Sequence, residues 1–182
     1  MLKIGVMEEA NSPYSSNVVM VPKSNRTIRV CINYWKLNQI TNLDKFPIPV
    51  INRLLAFFYG MKYFFIIDAW KGFWQIALNP DHKYYTAFNT LTGQYQFIVM
   101  PFGLCNSPAT FQRFMNQAFK HQNGVICLIY IDDIIVFSKN LPDYIKYLKA
   151  IMKVMCNKGI YVNSEKCTLI RKEIKFLGHH VS

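Results

Sequence analysis

Acidic residues are scarce in this chain of 182 residues. Aspartate and glutamate number 10 against 21 lysines and arginines, which gives a formal net charge of +11. A basic balance of this size favours a polyanionic partner, because clustered cations gain free energy when they release counterions from phosphates. The alternative is a basic surface that only keeps the protein in solution.

Cysteines are few, and their pattern excludes a disulfide scaffold. There are five, an odd number, and no two are close enough to form a CxxC pair. We therefore expect reduced thiols in an intracellular protein. Cys156 and Cys167 with His179 and His180 have a spacing that fits no compact zinc knuckle.

Long apolar runs, repeats and low-complexity linkers are also missing. The most apolar stretch, "LLAFFYGMKYFFIIDAW", is interrupted by Lys62 and Asp68 and is shorter than the roughly 20 residues of a membrane span. The first ten residues include Lys3 and Glu8 and do not resemble a signal peptide. We expect no membrane partner.

Apolar and aromatic residues are plentiful, at 52% and 15% of the chain. This composition excludes general disorder and suits one globular unit or two closely packed subdomains. Strand patterns and helical stripes alternate irregularly, and several strands are joined as hairpins. The sequence therefore predicts an α+β fold, a mostly antiparallel sheet with helices packed on one face.

Two helices are well marked. The first begins near Asn106 or Ser107, with Pro108 in its first turn, and ends by Gly124. The second begins after Asn140. Its spacing predicts a buried stripe of Ile145, Leu148, Ile151, Met152 and Met155.

Three aspartates stand out because each lies at the end of an apolar strand. Asp132 and Asp133 occupy a predicted hairpin bend in "VICLIYIDDIIVFSK", and Asp68 ends "FFIID". Neighbouring buried carboxylates repel one another, and bound Mg²⁺ would cancel that repulsion. Two ions about 4 Å apart would then support phosphoryl or nucleotidyl transfer on a nucleic acid. The alternative is an exposed Asp-Asp turn without chemistry.

Several motifs carry a family resemblance. They are "NSPYSSNVVMVPK", "TGQYQFIVMPFGLCNSPATFQRFMN", "YIDDIIVFSK" and "FLGHHVS". In order and spacing they resemble the reverse transcriptase domain of gypsy-type LTR retrotransposon Pol polyproteins. The resemblance implies a right-hand polymerase fold with fingers at about residues 1–42 and 76–106 and palm at about 43–75 and 107–182. It also implies that the chain lacks a thumb.

The resemblance assigns roles to individual residues. Asp68, Asp132 and Asp133 would be the catalytic carboxylates that bind two Mg²⁺ ions, with Mn²⁺ as an alternative. The residues expected to bind the dNTP are Arg29, Lys23, Phe73, Phe102, Gly103 and Lys166. The expected primer grip is Phe176, Leu177, Gly178 and His179. The alternative is that Phe73 and Phe102 are only core aromatics and that Arg29 is only a surface arginine.

The implied activity is RNA-directed DNA polymerisation, and the implied partners are an RNA or DNA template-primer and dNTP. We also expect the rest of a Pol polyprotein, comprising thumb, connection, RNase H and integrase. The implied location is the cytoplasm or nucleus, with virus-like particles as a further setting.

Some residues depart from the family pattern. Asn33 and Trp35 stand where an acidic and a basic residue are usual, and Trp70 with Lys71 follows Asp68. These departures motivate an alternative, a truncated and catalytically decayed remnant that only binds nucleic acid.

Overall fold

The computed structural model describes residues 2–22 and 27–181. It contains strands and α-helices that divide between two compact units. In chain order they are β1 (Met7–Glu9), β2 (Asn17–Pro22), β3 (Ile28–Asn33), α1 (Trp35–Ile40), α2 (Ile51–Ala56), β4 (Tyr63–Asp68), β5 (Phe88–Thr90), β6 (Gly93–Phe97), α3 (Ser107–Ala118), β7 (Cys127–Tyr130), β8 (Asp133–Ser138), α4 (Leu141–Lys158), β9 (Thr168–Arg171), β10 (Ile174–Phe176) and β11 (His179–Val181).

The first unit comprises Met1–Lys45 and Phe73–Pro108. It holds an antiparallel sheet of order β1-β6-β5 and a separate β2–β3 hairpin. Buried Tyr34 anchors its interior, and the Tyr34 hydroxyl donates a hydrogen bond of 2.9 Å to the carbonyl of Thr86. The hairpin carries exposed apolar side chains, including Met20 and Ile28.

The second unit comprises Phe46–Gly72 and Ala109–Ser182. Its centre is an antiparallel sheet of order β7-β8-β4-β9. The apolar runs in β4 and β8 are continuous rather than alternating, as expected for strands covered on both faces. In agreement, Ile134 and Ile135, which are consecutive in β8, are both fully buried.

An aromatic cluster packs against this sheet. The ring of Phe58, just after α2, lies edge-on to Phe64, Phe137 and Phe176 at centroid distances of 5.6, 5.7 and 5.9 Å. Edge-to-face pairs add to the free energy gained by apolar burial. The cluster therefore links α2, two central strands and the β10–β11 hairpin.

The structure confirms the predicted ends of helix α4 and corrects the prediction of which face is buried. The Asn140 side chain caps it by accepting a hydrogen bond of 2.9 Å from the amide of Asp143, and Gly159 ends it in the left-handed conformation. Its buried residues are Tyr144, Ile151 and Met155. The predicted burial of Ile145 and Met152 is wrong, because they are 46% and 39% exposed.

The reason lies in Tyr144. Its ring is 1% exposed and packs on Tyr63 of β4 with centroids 6.2 Å apart. This large side chain turns the helix so that the stripe through Tyr144, Ile151 and Met155 faces the sheet. The amphipathic spacing of the sequence alone is compatible with burial of either of two neighbouring stripes of side chains on α4.

We expect Phe58→Ala to destabilise the protein by about 3–5 kcal/mol, because it removes a buried ring that contacts three other rings. Tyr59→Ala is the matched control, since the Tyr59 side chain is 91% exposed. It should change the free energy of unfolding by less than about 0.5 kcal/mol. Urea unfolding followed by circular dichroism measures both. Similar losses for the two variants would contradict the assignment of Phe58 to the core.

Candidate active site

The β4–β8 ladder brings the predicted carboxylates together. Asp68 at the end of β4 is the register partner of Asp133 at the start of β8. Asp132 lies in the turn between β7 and β8, and its carbonyl accepts a hydrogen bond of 2.9 Å from the amide of Ala69. Three carboxylates from two segments of the chain therefore meet at one end of the sheet.

This arrangement raises the pKa of two of the carboxyl groups. Burial, followed by the charges of Asp133 and Asp68, raises the pKa of Asp132 to about 6, against a lowering contribution from Lys166. Burial and the charge of Asp68 also raise the pKa of Asp133. Each carboxylate therefore loses hydration and meets like charge, so the site favours an added cation.

One oxygen of Asp132 lacks a hydrogen-bond partner. Within the described part of the chain, Oδ1 of Asp132 is buried and accepts no hydrogen bond. A buried carboxylate oxygen without a partner is costly, because it has lost water and gained nothing in return. This oxygen therefore has unused acceptor capacity inside the fold.

Gly72 packs directly against Asp132. A Cβ at position 72 would collide with Oδ1 of Asp132 and would lie 2.9 Å from the ring of Phe111. Only a glycine lets the backbone pass this close without displacing the carboxylate. Gly72 thus keeps the space around Oδ1 narrow.

Lys166 contacts the site from the loop before β9. Its Nζ lies 3.1 Å from Oδ2 of Asp68. The backbone fixes the loop, because the amide of Asn163 donates a hydrogen bond of 2.9 Å to the carbonyl of Asp68. The structure therefore pairs Lys166 with a carboxylate predicted to bind metal.

Lys71, one of the departures from the family pattern, has a left-handed backbone with φ of 48°. Its Nζ lies over the ring of Trp70, 4.3 Å from the ring centroid. A cation above an aromatic face is stabilised by the ring quadrupole. Lys71 and Trp70, which both depart from the family pattern, thus contact each other.

The residues expected to bind dNTP divide between the units. In the first unit, Phe73 is buried and its ring lies 5.0 Å from that of Phe102, which is 48% exposed. Arg29 is exposed in β3. Lys23 lies outside the described residues, and Lys166 belongs to the second unit.

Two asparagines hold the segment that contains Phe102 and Gly103. The Asn38 side chain donates to the carbonyl of Gly103 and accepts from the amide of Cys105, both at 2.9 Å. Asn106 donates to the carbonyl of Asn42 at 2.9 Å. Gly103 itself has φ of 98°, a conformation that disfavours any other residue.

The expected primer-grip residues form the β10–β11 hairpin. Leu177 and Gly178 make its two-residue turn, and both have positive φ values, 47° and 85°. Phe176 is buried in the aromatic cluster, whereas His179 is exposed. Phe176 and partly buried Leu177 therefore anchor the hairpin, whereas Gly178 and His179 face solvent.

Sequence reasoning missed several supporting residues. Gly72 carries no local signal, since its role depends on Asp132, 60 positions later. Gln112 was detectable, because it lies on the same helical face as Met115 and Phe119 yet is polar. It is fully buried and contacts the turn that contains Asp132.

Solved structures share this architecture. A foamy virus protease-reverse transcriptase in complex with double-stranded DNA matches all of the chain with a TM-score of 0.92 and 28% identity, over 32% of its own length. The protein in complex with an RNA/DNA hybrid matches all of the chain with a TM-score of 0.88 and 27% identity, over 24% of its length. The class is therefore that of right-hand polymerases, with fingers and palm.

Sequence comparisons identify the family. The chain belongs to the reverse transcriptase (RNA-dependent DNA polymerase) family, whose model matches residues 21–181. Two relatives from Drosophila melanogaster match the whole chain, the retrovirus-related Pol polyproteins from transposon 297, at 40% identity, and from transposon opus, at 37%. The chain spans 18% and 19% of their lengths. The resemblance to gypsy-type Pol polyproteins is confirmed.

Reverse transcriptases use divalent metal ions, and the donors here fit such ions. Carboxylate oxygens are the ligands that hard cations prefer, and Oδ1 of Asp132 is buried without a partner. Among residues 2–22 and 27–181, no group of three His, Cys, Asp or Glu side chains is arranged to hold a metal. Asp68 instead pairs with Lys166. The donor chemistry of these carboxylates fits a divalent metal ion.

We expect Asp132→Asn to stabilise the metal-free protein at pH 7 and to have little effect at pH 4. The raised pKa of Asp132 means that the folded state holds its proton up to about pH 6, whereas the unfolded chain releases it near pH 3.8. Wild-type stability therefore falls between these values as pH rises. Allowing for partial solvation, the gain should be about 1–2 kcal/mol.

Urea unfolding in EDTA at both pH values measures this effect. Glu173→Gln, at an exposed carboxylate of the same unit, is the control and should leave the pH dependence unchanged. If Asp132→Asn were less stable than the wild type at pH 7, the Asp132 carboxylate would not destabilise the folded protein.

We expect Lys166→Met to raise the affinity for Mn²⁺ about two- to fivefold, because an ion pair of this exposure is worth up to about 1 kcal/mol and competes with the metal. Calorimetric titration measures the affinity. Lys172→Met removes an exposed lysine of the same unit and is the control. Equal affinities in wild type and Lys166→Met would contradict competition at Asp68.

Proposed function

We propose that this chain is the fingers and palm part of an RNA-directed DNA polymerase. It would join a dNTP to the 3′-hydroxyl of a primer on an RNA or DNA template. The observation that carries this proposal is the Asp68–Asp133 register, which gathers three carboxylates at one end of the sheet beside a buried, unpartnered oxygen of Asp132.

The reaction forms a bond between the primer 3′-oxygen and the α-phosphorus and breaks the bond to the β-phosphate. Pyrophosphate leaves, and the hydroxyl proton passes to solvent. Two bound divalent ions, which we propose to be Mg²⁺ with Mn²⁺ as a substitute, would lower the pKa of the hydroxyl and stabilise the developing charge.

The chain's own residues prepare the site for this chemistry. Asp68 and Asp132 would hold the ions, with Asp133 as the third carboxylate. Their burial lowers the local dielectric and strengthens each electrostatic contact. We propose that Lys166 exchanges Asp68 for a phosphate oxygen of the dNTP when the ions bind.

Residues of the first unit are proposed to contact the dNTP. Arg29 is exposed in β3, and its guanidinium can bind two phosphate oxygens at once. Phe73 packs on Phe102, which makes it a rigid wall suited to excluding a ribose 2′-hydroxyl. Gly103 and Lys23 complete the proposed set, and the β10–β11 turn is the proposed primer grip.

The proposed partners follow from charge and likeness. A formal charge of +11 favours phosphate backbones, and structurally similar foamy virus proteins are found with double-stranded DNA and with an RNA/DNA hybrid. Because its relatives are far longer, we propose that the chain works joined to thumb, connection, RNase H and integrase segments. We also propose an intracellular location, in agreement with the five free cysteines.

A second candidate is a decayed copy that binds nucleic acid without polymerising. The Lys166–Asp68 ion pair favours it, together with Trp70 and Lys71 beside the site. Both candidates predict binding to template-primer that weakens steeply with salt. Only a measurement of polymerase activity distinguishes the two candidates.

We expect primer extension with Mg²⁺ and dNTPs when the chain is joined to the thumb of a related polyprotein. Asp68→Asn and Asp132→Asn should each lower the rate at least about a thousandfold, because each removes a charged ligand. Glu173→Gln, at an exposed carboxylate of the same unit, is the control. Template-primer binding by the wild type without extension would establish the decayed copy instead.

A further inference from the structure

The turn that carries Asp132 has an unfavourable backbone conformation. Ile131, the first of its two residues, has φ of 51°. This left-handed region is favoured by glycine or asparagine and opposed by the branched Cβ of isoleucine. Such a conformation persists only where the surrounding structure fixes it.

Gln112 of α3 supplies that support. Its Oε1 accepts a hydrogen bond of 2.8 Å from the amide of Ile131, and its Nε2 donates one of 3.3 Å to the carbonyl of Ile129. The side chain thus bonds the end of β7 and the turn at once. Asp132 is the next residue along the chain.

The amide of Gln112 is itself held in one orientation. Nε2 also donates a hydrogen bond of 3.0 Å to Oδ1 of Asn116, which accepts a further one of 3.3 Å from Asn123. A backbone amide faces Oε1, and two acceptors face Nε2, so a flipped side chain would lose all three bonds. Gln112 is fully buried, so its side-chain amide is shielded from bulk solvent.

We propose that Gln112 is a positioning residue that fixes the Ile131–Asp132 turn and thereby places the Asp132 carboxylate. The inference deepens the proposed function and rests on it for the role of Asp132. Gln112 acts through the backbone and does not touch the reacting atoms. Gly72 also packs directly against the Asp132 carboxylate and so limits its movement.

Amide hydrogen exchange tests the proposal directly. Gln112→Met keeps the length of the side chain and removes its hydrogen bonds. We expect the Ile131 amide to exchange at least tenfold faster, while the ladder amides of β8 change no more than in the control. The control is Gln117→Met, at an exposed glutamine of the same helix.

Two further variants distinguish the loss of these hydrogen bonds from general misfolding. Gln112→Glu keeps an oxygen facing the Ile131 amide but sets its second oxygen against two acceptors, so it should restore the protection only in part. Gln112→Asn is too short to reach both Ile129 and Ile131, so it should lose the protection even if Gln112→Met does not fold. Mn²⁺ affinity of the folded proteins, measured by calorimetry, should fall at least fivefold in Gln112→Met.

The outcomes separate the two proposals. Unchanged Ile131 exchange in Gln112→Met and Gln112→Asn would overturn the positioning role. A uniform rise in exchange across the β8 ladder with unchanged Mn²⁺ affinity would also overturn it, because Gln112 would then be only structural. A wild type that binds no Mn²⁺ would refute the proposed metal chemistry, and the Ile131 exchange would still decide the inference about the turn.

Discussion

The pairing of β4 with β8 is the constraint on which the second unit depends. Its register brings Asp68 opposite Asp133, and it fixes where the β7–β8 turn must lie. A shift by one residue would move every side chain of one strand to the other face of the sheet. Both faces of β8 are buried, so the close packing of side chains of different shape, rather than an alternating pattern, opposes such a shift. The same packing that stabilises the sheet thus places the carboxylates.

The site combines opposing requirements. Burial raises the pKa of Asp132 and Asp133, which disfavours the ionised forms that metal binding needs. Lys166 offsets part of this cost while it pairs with Asp68. Supporting contacts therefore matter as much as the carboxylates: Gly72 leaves no room beside Asp132, and Gln112 fixes its turn.

Much of this was predictable from the sequence, and the limits have physical reasons. Local patterns predicted β4, β8, the turn at Asp132 and both long helices, because alternation, capping and apolar runs act within a few residues. The face of α4 was not predictable, since it depends on the packing of Tyr144 against Tyr63. The ion pair between Lys166 and Asp68 was not predictable either, since the two residues are 98 positions apart in the sequence. The ranges of fingers and palm and the roles of individual residues stay predictions.

The order of the elements along the chain also has a consequence during synthesis. The first unit's Phe73–Pro108 segment lies between β4 and its partner β8 in sequence. A ribosome adding about 5–20 residues per second would need roughly 3–13 s to pass from Asp68 to Asp133. For that interval the apolar strand β4 has no partner and presents an open edge. Early packing of Leu54 and Phe58 against Phe64 of β4 would cover part of this strand before the candidate site can form.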